Sequence, residues 1–388
     1  MPAAHAMSHA SACLIVSPIP VLRAGDQWRT LDLWARDVNA QCTQIPVTLV
    51  CPVAAQLSHH HAPLAPAIRV IAQDDRDALA HAIARARFVQ IPGHTGWRNS
   101  ALARQVLKLA RSQGKPVFLG ISSNRARTAL LNSRQHGVAR YALGLLRYAD
   151  IRFTQRWLAR RCTGVFVVGA GLTALVRGAN ANVHVGIASW VSAQDIQTER
   201  PPAPPTLRIC MAGRLEPMKG FSVGLAALEA LKARMAMDIT LIGSGPEEAA
   251  LKAAASQRGL HVRFLAPIAY PGPFFALLDQ QDLVLLTNLN DEQPRLVFDA
   301  LCRGALPVCP DAAAYAALGL DRLLLYRQGD AQALAQCVRG LEDPDVRGEL
   351  RVLSAALLQR HTLDAMHSDR LAWMQTSAAR IGSAPASP

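Results

Sequence analysis

The sequence predicts an α/β protein made of two doubly wound parallel-sheet domains, and three observations lead there. Short apolar runs alternate with helix-period segments along most of the chain, the pattern of parallel strands joined by crossover helices. A proline-dense stretch, Pro201-Pro202-Ala203-Pro204-Pro205, interrupts that alternation and makes a stiff extended spacer. The alternation then restarts at Leu207, and 388 residues suffice for two domains with full cores.

In the first half, strands are expected at Cys13–Ser17, Pro46–Val53, Ala67–Ala72, Arg87–Ile91, Pro116–Ile121 and Val165–Val168, with a further strand-like run over Asn182–Ala188. Helices are expected near Trp28–Ala40, Asp77–Ala86 and Ser100–Gln113, where apolar residues recur at three- and four-residue steps. The second half offers strands at Leu207–Met211, Asp238–Ile242, Val262–Phe264, Leu283–Thr287 and Leu306–Cys309, and a last one at Leu323–Tyr326. Helices near Phe221–Met235, Pro246–Arg258, Pro273–Gln280, Pro294–Cys302 and Ala331–Gly340 lie between and after them, and Gly304 stands where a helix stop is expected. The division is a first domain over 1–198, a linker over 199–206, a second domain over 207–345, helices over 346–379 and a small-residue tail over 380–388, expected to be disordered.

Composition narrows the class. No run approaches the roughly 18 uninterrupted apolar residues of a spanning helix. Met1–Ala12 has no cationic start followed by an apolar block, so no secretory signal is expected and a cytoplasmic protein is. Eight scattered cysteines form no C-x-x-C pair, which favours reduced thiols over a zinc or disulfide framework. Charge is uneven: residues 1–198 hold 22 of the 41 Lys and Arg but only 8 of the 28 Asp and Glu. Such a basic half suits an anionic partner, whether membrane lipid, nucleic acid or a phosphorylated substrate, although solubility alone also accounts for it.

Several first-half features need weighing. His59-His60-His61 are adjacent, so they do not share one face, and a solvated loop is the better reading than a metal site. Asp75-Arg76-Asp77 sits at a helix start, where aspartates cap, rather than holding a divalent ion. Gly25 lies in the loop after the first strand. His94 follows a strand in the glycine-flanked Pro92–Arg98 loop, a suitable address for a substrate contact. Gly169-Ala170-Gly171-Leu172-Thr173-Ala174 is formally a dinucleotide fingerprint, but it comes late in the sheet, and a tight strand-to-helix turn fits better. Between Arg134 and Arg161 stand seven arginines and one acid, Asp150, interleaved with aromatic residues and leucines. Arg152, Arg156 and Arg160 line one helix face. An interfacial membrane helix and an ordinary amphipathic helix with a solvated arginine face are both open readings. No recognised nucleic-acid module accompanies these arginines, so no nucleic acid is expected.

Three pieces of the second half carry chemistry. Gly213-Arg214-Leu215-Glu216-Pro217-Met218-Lys219-Gly220 follows the first strand, and Ile242-Gly243-Ser244-Gly245-Pro246 closes the second. Asp291-Glu292-Gln293-Pro294-Arg295-Leu296-Val297-Phe298-Asp299 places two carboxylates eight residues apart at a helix start. All three lie where an α/β sheet delivers its strands' carboxyl ends, the edge at which such sheets bind ligands. Fixed cations and helix-start amides stabilise the charge that builds on a departing diphosphate, while carboxylates suit sugar and ribose hydroxyls.

In order and spacing these pieces resemble the retaining GT-B glycosyltransferases of family 4, the "group 1" transferases, over roughly residues 206–310. The resemblance implies two Rossmann-like domains facing a cleft, with a C-terminal helix crossing back to the first domain. It implies Arg214 and Lys219 on the donor diphosphate, Asp291 near the donor sugar and Asp299 on the ribose. Gly213, Gly243 and Gly245 would line the donor, with Arg295, Leu296 and Val297 offering backbone amides to a phosphate. Gly25 and His94 are the acceptor-side candidates. Both family glutamates are aspartates here, and Glu292 replaces the usual glycine, so Glu292 is an alternative first carboxylate.

The implied activity is retaining transfer of a hexose-type sugar from a nucleoside-diphosphate donor to a saccharide or lipid-linked acceptor, without metal or cofactor, in cell-surface polysaccharide or glycolipid assembly. Arg147, Arg152, Arg156 and Arg160 would hold the protein peripherally at the membrane's inner face. A catalytically silent scaffold or nucleotide-sugar-binding protein of the same fold is the alternative.

Overall fold

The computed structural model describes residues 12–57, 60–133, 137–197, 200, 205–290 and 292–382. Asp291, Arg134, His59, Pro201–Pro204 and the tail from residue 383 lie outside the described residues.

The first domain is built on a seven-stranded parallel sheet. Its strands, with those of a small side sheet, are β1 (Cys13–Val16), β2 (Leu22–Ala24), β3 (Gln27–Leu31), β4 (Val47–Cys51), β5 (His61–Pro63), β6 (Arg69–Ala72), β7 (Phe88–Pro92), β8 (Val117–Ile121), β9 (Gly164–Val168) and β10 (Val183–Gly186). The order β10-β9-β8-β7-β1-β4-β6 puts β1 inside the sheet, with chain progress running outward on either side of it. β1 and β4 are buried at every residue, as expected of runs rich in Val, Ile, Leu and Cys covered on both faces. Helix Ala101–Ser112 shows the complementary pattern, burying Ala103, Val106, Leu107 and Ala110 along one stripe.

Several expectations change here. Residues Gln27–Leu31 form β3 rather than the start of a helix, which begins at Asp32. β2, β3 and β5 make a small antiparallel sheet, so His61 lies in a strand rather than a loop. The helical pattern at Trp28 loses to cross-strand pairing, a non-local contact that residue spacing does not encode. Gly25, with φ +61, is the exposed turn of the β2–β3 hairpin, so its glycine serves the backbone there. Asp75 caps its helix by accepting a 3.0 Å bond from the Ala78 amide. The Gly169–Ala174 segment is a tight 3₁₀ turn, and a Cβ at Gly169 would press on Gln293 of the second domain.

The second domain carries β11 (Leu207–Ala212), β12 (Met237–Ile242), β13 (Val262–Leu265), β14 (Leu283–Leu285), β15 (Leu306–Pro310) and β16 (Leu325–Tyr326) in the order β13-β12-β11-β14-β15-β16. Chain progress reverses between β11 and β14, so the segments leaving those two neighbours diverge and open a crevice at their carboxyl ends. Gly304, with φ +67, follows the end of helix Leu296–Cys302.

The helices after the second sheet divide their packing. Pro344–Arg360 lies on the second domain, against helix Leu296–Cys302 and β15. Leu363–Gly382 crosses back to helix Asp32–Gln44 and to β9 and β10. Trp373 fastens it there: its ring meets Phe118 edge-on at 5.0 Å and stacks on His184 at 5.1 Å, and its Nε1 donates to Asn182 Oδ1 at 2.9 Å. Each aromatic pair adds about 0.5–1.5 kcal/mol beyond area burial, which makes this return a core contact rather than a surface one.

Candidate active site

The loop leaving β11 rests on the backbone at the end of β12. Three hydrogen bonds join Gly213–Leu215 to Ile242–Glu247: Gly213 N to Ile242 O (3.0 Å), Leu215 N to Ser244 O (2.9 Å) and Glu247 N to Leu215 O (3.0 Å). A Cβ at Gly243 would collide with the Gly213 carbonyl oxygen, and one at Gly245 with that of Leu215. These two glycines therefore let one loop lie directly on the other, which supports the Arg214 loop from below.

Lys219 ends a 3₁₀ turn, Pro217–Lys219, that Gly220 closes at φ +63. Thr287 Oγ1, at the exit of β14, donates to the Lys219 carbonyl at 2.7 Å, and the Leu289 amide donates to Met218 O at 2.9 Å. The half-buried side chain passes over Gly213, its Cδ and Cε 3.8 Å from where a Cβ would stand. Burial holds the Lys219 ammonium below the usual lysine pKa; Glu292 and Glu216 pull upward while Arg214 and Arg295 deepen the fall. The amine is thus held among two acids and two guanidinium groups.

Arg214 is the exposed cation, with 60% of its side chain accessible, and it donates to Glu216 Oε1 at 2.6 Å. The other Glu216 oxygen is buried and has no partner among the described residues. Glu292 reaches across to the first domain, accepting a 3.0 Å bond from the Asn124 amide. Asn124 Oδ1 in turn accepts from Arg127 N (3.1 Å), at the start of helix Arg125–Ser133. Ser123, Arg125, Thr128 and Asn132 of the first domain thereby face Arg214, Glu216 and Glu292 across a cavity of about 520 Å³. That volume falls in the range of ordinary small-molecule sites. His94 belongs to this side: burial, with Arg125 adding to it, lowers its pKa to about 4, so the ring is neutral at pH 7.

Asp299 is fully buried. Its Oδ1 accepts from the Tyr270 hydroxyl at 3.0 Å, and its Oδ2 is paired with Arg295. Burial raises the carboxyl's pKa against the downward pull of Arg295 and of the Tyr270 hydrogen bond. Arg295 lies 4.3 Å over the Tyr270 ring, with Trp190 and Phe274 each at 5.7 Å. Its guanidinium is committed to this cluster. Leu296 and Val297 are buried, and the Val297 amide donates to Pro294 O at 3.4 Å. The shorter aspartate keeps its carboxylate within reach of the residue four positions earlier, where Arg295 supplies a partner.

The arginine helix departs from expectation. Arg152 Nη1 donates to the Leu175 carbonyl and Arg156 Nη1 to that of Arg177, both at 3.0 Å, so these two bind the protein's own backbone.

Ser123, Arg125, Thr128, Asn132, Glu216 and Tyr270 were not among the residues the sequence singled out. For the first four, the signal present was a Ser-Ser-Asn sequence between strand and helix, an N-terminal cap pattern at a sheet's carboxyl edge.

Residues 206–343 match the family model described as Glycosyl transferases group 1. No curated protein matches the chain. Among solved structures, HepE of Anabaena in complex with UDP and glucose aligns over 94% of this chain and 99% of its own, at 14% identity and TM-score 0.64. Sucrose-phosphate synthase of Thermosynechococcus elongatus aligns over 95% and 100%, at 14% identity and TM-score 0.68. A UDP-forming α,α-trehalose-phosphate synthase of Burkholderia xenovorans aligns over 95% and 99%, at 12% identity and TM-score 0.65.

The fold is GT-B.

In GT-B terms, the crevice of the second domain and the Asn124–Thr128 edge of the first are the two walls of one interdomain cleft. The family-model match, confined to the second domain, and the shared GT-B fold together support a glycosyltransferase.

Proposed function

We propose that this GT-B protein transfers a hexose-type sugar, with retention and without a metal ion, from a nucleoside-diphosphate donor to a saccharide or lipid-linked acceptor. The observation carrying this reading is the meeting of Arg214, Lys219 and Glu292 at the β11–β14 switch point, opposite Arg125. The donor's diphosphate displaces Glu216 from Arg214 and lies between that guanidinium and the Lys219 ammonium. As the glycosidic bond breaks, charge grows on the leaving phosphate oxygens, and both cations stabilise it where it forms. Glu292, from the loop that also holds Asp291, takes the sugar-side carboxylate position. In the neighbour HepE the bound molecules are UDP and glucose, which makes a uridine diphosphate sugar the first donor to try. The basic first domain suits an acceptor that carries phosphate or sits on a lipid at the cytoplasmic face of a membrane, as in assembly of surface polysaccharide or glycolipid.

Thermal shift with a panel of nucleoside diphosphates and their sugars tests the donor reading. A ligand at about 100 times its dissociation constant adds roughly 2.7 kcal/mol of stability. Turnover of the stabilising sugar nucleotide, followed by the anomeric configuration of the product, then tests transfer and retention. No stabilisation by any nucleotide overturns the proposal.

The second reading is a GT-B protein that binds a sugar nucleotide without transferring the sugar. Stabilisation by the donor with neither hydrolysis nor transfer distinguishes it.

A further inference from the structure

The helix Val138–Ala159 divides into two unlike halves. The second half is anchored: Thr154, Leu158 and Ala159 are fully buried. In the first half every residue from Val138 to Asp150 is exposed except Gly144, whose lack of a side chain lets the helix pass over Ser133. That exposed half is not polar. Val138 is 87% exposed, Leu146 69%, Leu143 47% and Leu145 45%, and Phe153 beyond them is 60% exposed. A segment apolar around most of its circumference belongs in a core or against something else, and a patch of this kind on a free surface marks a contact site.

We infer that this half-helix docks the protein on an anionic lipid bilayer, its leucines entering the acyl boundary while Arg140 and Arg147 meet the headgroups. This rests on the lipid-linked acceptor reading and gives it a surface. It also moves the membrane face from Arg152 and Arg156, which are bound to backbone carbonyls, to the preceding turns. Charge complementarity decides the occupant. The helix belongs to a half of the chain in which basic residues outnumber acidic ones by more than two to one. A second copy brought face to face would set the same arginines against each other, whereas acidic headgroups neutralise them. The geometry also connects the patch to the cleft: Ser133, which Gly144 overlies, ends helix Arg125–Ser133, and that helix puts Arg125, Thr128 and Asn132 into the cavity wall. An acceptor held in the bilayer would meet that wall from the docked side.

The test is flotation of the full-length protein with vesicles of phosphatidylcholine alone and of phosphatidylcholine with phosphatidylglycerol in equal parts. Binding to the mixed vesicles at low salt, with loss at high salt, is expected. Arg140→Gln with Arg147→Gln should weaken it about 30-fold, and Leu143→Glu with Leu146→Glu should abolish it. Melting temperature and nucleotide-induced stabilisation should be retained in both, since all four side chains are exposed. Equal binding to both vesicle types, no binding, or variants that bind like the wild type would overturn the proposal. So would a concentration-dependent dimer that the glutamate pair converts to monomer. Should the glutamate pair fail to fold, the arginine pair and the wild-type salt titration still decide it. Vesicle binding without donor turnover would leave docking standing while the transferase reading falls.

Discussion

The hydroxyl of Tyr270 donates a 3.0 Å hydrogen bond to Oδ1 of Asp299, a carboxylate with no accessible surface. Tyr270 precedes helix Gly272–Leu278 and Asp299 lies within helix Leu296–Cys302, and the pair extends to the first domain. Tyr270 N donates to Asp32 Oδ2 at 2.9 Å, and Arg36 of the first domain stands 5.7 Å over the Tyr270 ring. Arg36 is itself paired with Asp195 and donates to the Trp190 carbonyl at 2.6 Å. The second carboxylate of the motif is thus part of the seam that joins the domains.

That assignment makes Asp299 a structural residue. Asp299→Ala, which strands Arg295 and the Tyr270 hydroxyl, should cost about 3–5 kcal/mol, and Tyr270→Phe about 1–3 kcal/mol. Urea denaturation measures both. Donor affinity of the folded fraction should change little. A hundredfold rise in nucleotide dissociation constant at unchanged stability would return Asp299 to the ribose.

Arg214→Ala and Lys219→Ala should each lower kcat about 10²–10³-fold, the scale of losing one preorganised contact to developing charge. The double variant should lose less than the product of the two, because both cations address one diphosphate. Steady-state transfer assays give the numbers, and single variants with wild-type turnover would remove the proposed mechanism.

Lys219 supplies a pH dependence. Its lowered pKa means the ammonium loses its proton at a lower pH than an ordinary lysine, so kcat/KM should fall on the alkaline side. Glu292 raises that pKa, and Glu292→Gln should therefore move the alkaline limb to lower pH. Lys219→Arg, permanently charged, should flatten it. A limb that stays in place in both variants assigns it to another group.

His94 should act as a neutral ring. With its pKa at about 4, no titration of His94 should appear in the activity profile between pH 6 and 8. His94→Ala should raise the acceptor KM and leave the donor KM as it was. An equal rise in both would place the ring on the donor side.

Much of this architecture was legible along the chain. Unbroken apolar runs such as Cys13–Val16 are strands covered on both faces, and glycines at Gly243 and Gly304 mark backbone turns that a side chain would obstruct. Less of the site was legible. Arg214 and Lys219 could be singled out because loop, turn and spacing lie within eight residues of one another. The other wall of the cleft is set by Asn124 and Arg125, which lie about 90 residues earlier and carry no marking beyond a helix cap. The same limit explains the misplaced arginines: spacing aligns Arg152 and Arg156 on one face but does not say that Leu175 and Arg177 lie beneath it.

By itself the sequence determined what depends on near neighbours: the two alternating sheets, the spacer between them, the glycine-dependent loops, and the pairing of a guanidinium with an amine at a strand's end. Only the tertiary structure decided which carboxylate faces the cleft. Glu292 reaches Asn124 and the cavity while Asp299 turns inward to Tyr270 and Arg295. The reason is physical. A buried carboxylate stays where a hydroxyl and a guanidinium offset its lost hydration, and those partners are brought together by folding rather than by their order in the chain.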